Sequence, residues 1–232
     1  MGPPTRHREL NNGAASLRRR VALGALSGAL FALAAMVAVR VRGGVGPSRF
    51  DQRVSDQLGS ARLGRVAADL GLSQAWPDGA APHAVLYAVP LAALTALVAL
   101  GVIAWRRQDR GALALCLVGP ATALLLTDAV AKPLVDRRLR LSLSYPSGHA
   151  TGAAAVAVLA LVLCHRWKGW RALVVASPVA LALPAVMGVA LVRLNWHYPT
   201  DVVGGTAVGA ATVLALAALV GGGRAAQAPN VT

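Results

Sequence analysis

The chain has 232 residues, 56% of them hydrophobic and only 14% charged, with a mean hydropathy of +0.57. That is too apolar for an ordinary soluble domain and points to a membrane protein. A formal net charge of +14 and a pI of about 11.6 would suit a nucleic-acid binder, but the basic residues lie between apolar segments, so no nucleic-acid partner is expected.

Taken in chain order, residues 1–20 read as a basic, mobile cytoplasmic tail, with Arg18, Arg19 and Arg20 at its end. The first apolar stretch, of about 19 residues, lacks a small-residue cleavage site and reads as a retained span. Six segments, 21–39, 84–105, 111–131, 147–164, 172–192 and 202–220, are each able to cross about 30 Å of hydrocarbon as helices. The expected fold is all-α: a polytopic six-helix bundle over 21–220, with its motif core at 128–205 and a C-terminal tail at 221–232. Ala, Leu, Val and Gly fill the spans, and small residues let helix backbones approach closely. Residues 50–72 form the longest hydrophilic stretch. Phe50, Val54, Leu58 and Ala61 recur there at helical spacing between Asp51, Arg53, Asp56 and Arg62. This predicts an amphipathic helical hairpin on the membrane surface, between spans one and two; a solvated linker is the plainer alternative.

Lysine and arginine placement orients the bundle. Arg18–Arg20, the loop with Arg106, Arg107 and Arg110, and the loop with Arg166, Lys168 and Arg171 all fall on one side. That side is expected to be cytoplasmic, with both termini. Cys116 and Cys164 lie in apolar segments near it, which suits free thiols and excludes a disulfide framework.

The chemistry-bearing residues sit on the other side. Pro146-Ser147-Gly148-His149 opens the fourth span. Proline and serine suit a helix start, whose free N–H groups bind anions, and glycine lets the anion approach. A capped helix with an interfacial histidine is the plainer reading, but it leaves a second histidine and several cations unexplained. His197 precedes Asp201 by four residues at the mouth of the last span. The carboxylate can hold one imidazole nitrogen and leave the other as a nucleophile; an interfacial capping pair is the alternative. Lys132, Arg137, Arg138 and Arg140 precede the serine motif, and Arg193 precedes His197. Such cations hold phosphate oxygens, or else form a headgroup belt. Asp128, one turn before Lys132, is expected to orient it. Two histidines and a carboxylate would suit iron, yet five neighbouring cations would repel a divalent ion, so neither metal nor cofactor is expected.

These residues resemble the type-2 phosphatidic acid phosphatase family of integral membrane enzymes, related in site to vanadium haloperoxidases. That family carries K-x6-R-P, P-S-G-H and S-R-x5-H-x3-D on a six-helix core. The resemblance spans about residues 20–220, with the specific matches between 132 and 205. The second motif matches in full, and the third in its H-x3-D half. The resemblance implies His197 as the nucleophile forming a phosphohistidine, Asp201 as its orienter and His149 as the general acid. It implies Ser147, Gly148 and Lys132 as phosphate holders. The chain departs at the arginines: Leu139 fills the first arginine slot, with Arg140 in place of the proline, and Leu191 fills the second. Arg137, Arg138 and Arg193 are therefore the expected substitutes. The implied activity is metal-independent hydrolysis of a membrane lipid phosphomonoester or diphosphate, with undecaprenyl diphosphate the first substrate expected. Phosphatidylglycerol phosphate, phosphatidic acid and polyprenyl-phosphoryl sugars are the alternatives. A phosphotransferase of the same fold is another; a transporter fits less well because no span is obviously broken at mid-membrane and no repeat pairing is visible, and a non-enzymatic scaffold would not need both histidines. The implied setting is a bacterial-type plasma membrane with the site on the extracytoplasmic face.

Overall fold

A computed structural model of the protein describes residues 5–59 and 80–220. The first helix, α1 (Thr5–Val41), begins well before residue 21. The segment expected as a tail is therefore helical from Thr5, and its Arg, Glu, Leu and Ala residues favour that. At about 1.5 Å per residue α1 reaches about 55 Å, longer than the hydrocarbon is thick. The surface helix α2 (Arg49–Gly59) follows and covers the first part of the segment expected to form an amphipathic hairpin. The remainder, 60–72, lies outside the described residues, as does the tail 221–232.

Helices α3 (Ala80–Arg106) and α4 (Arg110–Leu125) come next. A π-helical turn at Leu126–Ala131 joins α4 to the short α5 (Lys132–Val135). Strands β1 (Arg138–Leu139) and β2 (Ser142–Leu143) then form a minimal antiparallel hairpin, with Arg138 opposite Leu143 and Leu139 opposite Ser142. Helices α6 (Gly148–Lys168), α7 (Trp170–Arg193) and α8 (Pro199–Val220) complete the bundle. Six helices are long and apolar enough to cross a membrane: Gly13–Val41, Pro82–Arg106, Arg110–Val135, Gly148–Lys168, Trp170–Arg193 and Pro199–Val220. The expected spans differ from these mainly at their ends, where polar residues continue the helices. The all-α expectation holds apart from the two-residue strands.

Helices α8 and α6 form the centre. Their most apolar windows are 61% and 50% buried, against 11% for α1 and 17% for α3 and α7. The outer helices leave Val21, Leu94, Val98, Val175 and Val179 exposed, an apolar surface suited to lipid. The α6–α8 crossing is built on glycine. A Cβ on Gly205 would collide with the Ser147 carbonyl, one on Gly209 with the Thr151 carbonyl, and one on Gly204 with the Tyr145 ring. The spacing Gly205-x3-Gly209 is the small-residue pattern that brings membrane helices into backbone contact.

At the bundle end where α1 begins, Asp109 caps α4 through the Ala112 N–H. It also accepts two hydrogen bonds from Arg166 at 2.8 and 3.0 Å, and one from the Trp167 indole at 3.2 Å. Burial alone would raise its pKa, but the bonds from Arg166, Ala112 and Trp167 pull it down to about 2. Arg107 stacks over Trp167 at 5.3 Å, and Arg20 donates to the Ala218 carbonyl.

Candidate active site

The site lies at the other end, where α6 and α8 begin. Ser147 caps α6, its hydroxyl accepting from Ala150 N–H, while its own N–H donates to the Asp201 carbonyl at 3.0 Å. Ser147 is fully buried. The sequence places it among the phosphate holders; the structure turns it to the helix instead, because α8 covers its outer side through Gly205. The N–H groups of Gly148 and His149, in the first turn of α6, have no intrahelical partner, as at any helix start. Both residues line an open cavity.

The π-helical turn places Asp128 and Lys132 over that helix start. Lys132 Nζ lies 2.6 Å from Asp128 Oδ1. A Cβ added at Gly148 would stand 3.6 Å from Asp128 Oδ1 and 4.0 Å from Lys132 Nζ. Glycine thus leaves room for the ammonium to approach the helix terminus. Extra residues in a helical turn recur at functional sites because they re-aim side chains.

His197 and Asp201 meet as their spacing suggests. Asp201 Oδ2 is 3.6 Å from His197 Nδ1, which is buried and makes no hydrogen bond at that separation. With Nδ1 turned to the carboxylate, Nε2 points the opposite way, and the residue lines the cavity. Asp201 is held on two further sides: Oδ2 accepts from Tyr198 N–H at 3.0 Å and Oδ1 from Arg137 Nη1 at 2.7 Å.

Arg137 overturns one expectation. Its guanidinium is 1% exposed and lies between two fully buried carboxylates, Asp201 and Asp51. Nη2 donates to Asp51 Oδ2 at 2.7 Å, and the guanidinium stacks on Tyr198 at 4.2 Å. Paired charge is the condition for burying an arginine, and a group so held does not face the cavity. Asp51 Oδ1 accepts from both the N–H and the hydroxyl of Thr200 at 2.9 Å. Burial would raise the Asp51 pKa, but bonds from Arg137, Thr200 and Ser48 hold it below the usual carboxylate range. Burial and the two neighbouring carboxylates raise the Tyr198 pKa against the opposing Arg137 charge.

Two other arginines also lie away from the cavity. Arg138 is exposed and pairs with Asp136 at 3.2 Å, because the β1 strand points its side chain outward. Arg193 donates to the Leu58 carbonyl at 3.0 Å, tying α7 to α2. Arg140 differs from them. It sits at the hairpin tip with φ 57° and lines the cavity with Lys132, Gly148, His149 and His197. Leu191, in the family's second arginine slot, is fully buried core.

The cavity holds about 720 Å³. Its head carries these polar groups with Asn195 and Trp196. Its lower part runs between Val89, Ala93 and Leu97 of α3, Leu124 of α4, and Gly152 and Val156 of α6. Trp196 meets His149 edge-on, with ring centroids 6.4 Å apart. Among the described residues no group of three or more His, Cys, Asp or Glu side chains is arranged to hold a metal ion.

Asp51 is the residue whose role sequence reasoning missed. Ser48 and Asp51 form a capping box at the start of α2, with Ser48 N–H and hydroxyl donating to Asp51 and Asp51 N–H donating back. That S-x-x-D signature was legible; the partners across the bundle were not.

The profile described as the PAP2 superfamily matches residues 83–224. Two curated relatives, both named decaprenylphosphoryl-5-phosphoribose phosphatase and from two strains of Mycobacterium tuberculosis, are 43% identical over 82 residues. That stretch is 35% of this chain and 40% of each relative. No solved structure matches.

Proposed function

The chain belongs to the PAP2 superfamily, and from that premise we propose that it is a membrane lipid-phosphate phosphatase working through a phosphohistidine. The observation that carries this reading is the common cavity. His197, His149, Lys132, Arg140 and the α6 helix start all face one polar head, above an apolar extension between helices.

In the proposed reaction the substrate phosphoryl group sits against Lys132, Arg140 and the Gly148 and His149 N–H groups, which hold its charge as it grows. His197 Nε2 attacks phosphorus while Asp201 keeps the Nδ1 proton in place. The bond to the leaving oxygen breaks, and His149 supplies that oxygen's proton. Water then attacks the phosphohistidine, His149 takes its proton, and phosphate leaves with His197 restored. Phosphate-ester hydrolysis is among the slowest uncatalysed reactions, so a covalent step and a cation clamp match its demands.

The proposed substrate is a polyprenyl-linked phosphate ester. The apolar lower cavity suits a long hydrocarbon tail, and the Mycobacterium tuberculosis relatives are named for a decaprenyl-linked one. Undecaprenyl diphosphate is the second substrate to test. The positive-inside rule supports an orientation with the site on the extracytoplasmic face, because Arg18–Arg20, Arg106, Arg107, Arg166 and Lys168 cluster at the opposite end.

The test is phosphate release by purified full-length protein in EDTA. The panel is a polyprenyl-phosphoryl pentose phosphate, undecaprenyl diphosphate, phosphatidylglycerol phosphate and phosphatidic acid. A polyprenyl substrate is expected to be preferred, with an acid-labile, base-stable phosphoenzyme trapped on quenching. His197→Ala is expected to abolish both signals, a loss on the order of 10⁴-fold. Retained activity in that variant would overturn the nucleophile assignment. Phosphate passed to another lipid, with none released, would select a phosphotransferase.

A further inference from the structure

We propose that Asp51, on the surface helix α2 and outside the residues matched to the superfamily, is a positioning residue for the nucleophile. In this reading α2 clamps the His197 turn. The proposal rests on the phosphohistidine reading of the site.

The capping box alone does not account for Asp51. A box needs one carboxylate oxygen at a solvated helix start, yet Asp51 is fully buried and both its oxygens are engaged across the bundle. Oδ1 receives the N–H and hydroxyl of Thr200, so a carboxylate from α2 caps the first turn of α8. Thr200 is the immediate neighbour of Asp201. Oδ2 receives Arg137 Nη2, while Nη1 of the same guanidinium goes to Asp201 Oδ1.

That division of the guanidinium fork is the central observation. Arginine and carboxylate prefer a bidentate, two-bond pairing. Left with Asp201 alone, Arg137 would take both its oxygens and draw Oδ2 away from His197. Asp51 holds Nη2 at 2.7 Å, with the Gly46 carbonyl a longer second acceptor at 3.3 Å, and Arg137 grips Asp201 by Oδ1 only. Oδ2, steadied by the Tyr198 N–H, is left facing the imidazole. The charges agree: two carboxylates and one guanidinium leave one negative charge, directed at the Nδ1 proton.

A second tie sits at the far end of α2, where the Leu58 carbonyl accepts from Arg193. The two ties bracket Leu194–Tyr198, which carries His197 between α7 and α8. The left-handed Asn195 within it (φ 53°) marks a turn whose shape needs such support.

The experiment measures steady-state kcat and KM and single-turnover phosphoenzyme formation for wild type and Asp51→Asn, both purified full length, on the preferred lipid phosphate of the panel. Folding is followed by the thermal transition in detergent. Asp51→Asn keeps the side-chain shape and removes the charge that holds Nη2. Its kcat is expected to fall at least about tenfold with KM within about threefold, and phosphoenzyme formation to slow by the same factor. A purely structural role would lower the folded fraction or raise KM and leave turnover per folded molecule intact; that result, or a kcat within about threefold of wild type, overturns the proposal. Should Asp51→Asn fail to fold, Asp51→Glu carries the test. Its displaced carboxylate is expected to lower kcat several-fold at constant KM, and an unchanged kcat overturns the proposal. Wild type that traps no phosphoenzyme would sink the underlying reading instead, and the two failures are distinguishable.

Discussion

The two ends of the bundle each bury an aspartate against an arginine, with opposite consequences. At the end where α1 begins, Asp109 takes both bonds from Arg166, one from Trp167 and one from the α4 N-terminus. Every strong acceptor position points at a fixed donor, and the cluster is a lock between helices. At the other end Arg137 is shared by two carboxylates, and one oxygen of Asp201 still faces His197 across 3.6 Å. A saturated pair holds helices together; a shared one leaves a carboxylate oxygen facing the imidazole of His197.

The largest effect that tests this contrast is Arg137→Met. It strands Asp51 and Asp201 as buried, unpaired carboxylates, and is expected to cost about 3–5 kcal/mol in thermal unfolding along with phosphate release. A thermal midpoint equal to wild type would erase the distinction. Asp109→Asn comes next. It is expected to cost about 1–3 kcal/mol while turnover per folded molecule stays at wild-type level, since nothing at that end reaches the cavity. The same group gives an acid limb. Its folded pKa of about 2 lies below the ordinary value of about 3.9. Its contribution is therefore complete above about pH 4 and lost as the pH falls towards about 2. Stability measured against pH should show that loss in wild type and not in Asp109→Asn. The smallest effect belongs to Arg138→Ala. Its pair with Asp136 is more than half exposed on both sides, so a change within about 0.5 kcal/mol and unaltered phosphate release are expected. A marked loss of activity there would return Arg138 to the phosphate.

How far the sequence could be read follows the same divide. The six spans were legible because a run of about 20 apolar residues has few other uses. His149, His197 and Asp201 were legible because short spacings at helix mouths leave little freedom. The arginines were not. Arg137, Arg138 and Arg140 are near neighbours in the chain, and each lies somewhere different: between carboxylates, at the surface, at the lining of the cavity. Strand alternation and a two-residue hairpin decide that, and neither leaves a mark in composition. The π-helical turn was equally hidden, since its residues read as ordinary span. Asp51 lies about 150 positions from its partner Thr200, and a pairing that distant belongs to the assembled fold.

The glycine crossing has a consequence for how this protein can change. Where α6 and α8 meet at Gly205 and Gly209, main chain rests on main chain, so the spacing between the segments bearing His149 and Asp201 is a property of the backbone. Substitutions on the outer, lipid-facing helices can follow a new membrane or a new lipid tail without altering that spacing. That geometry is insulated from the surface that must adapt, and two positions that admit no side chain provide the insulation.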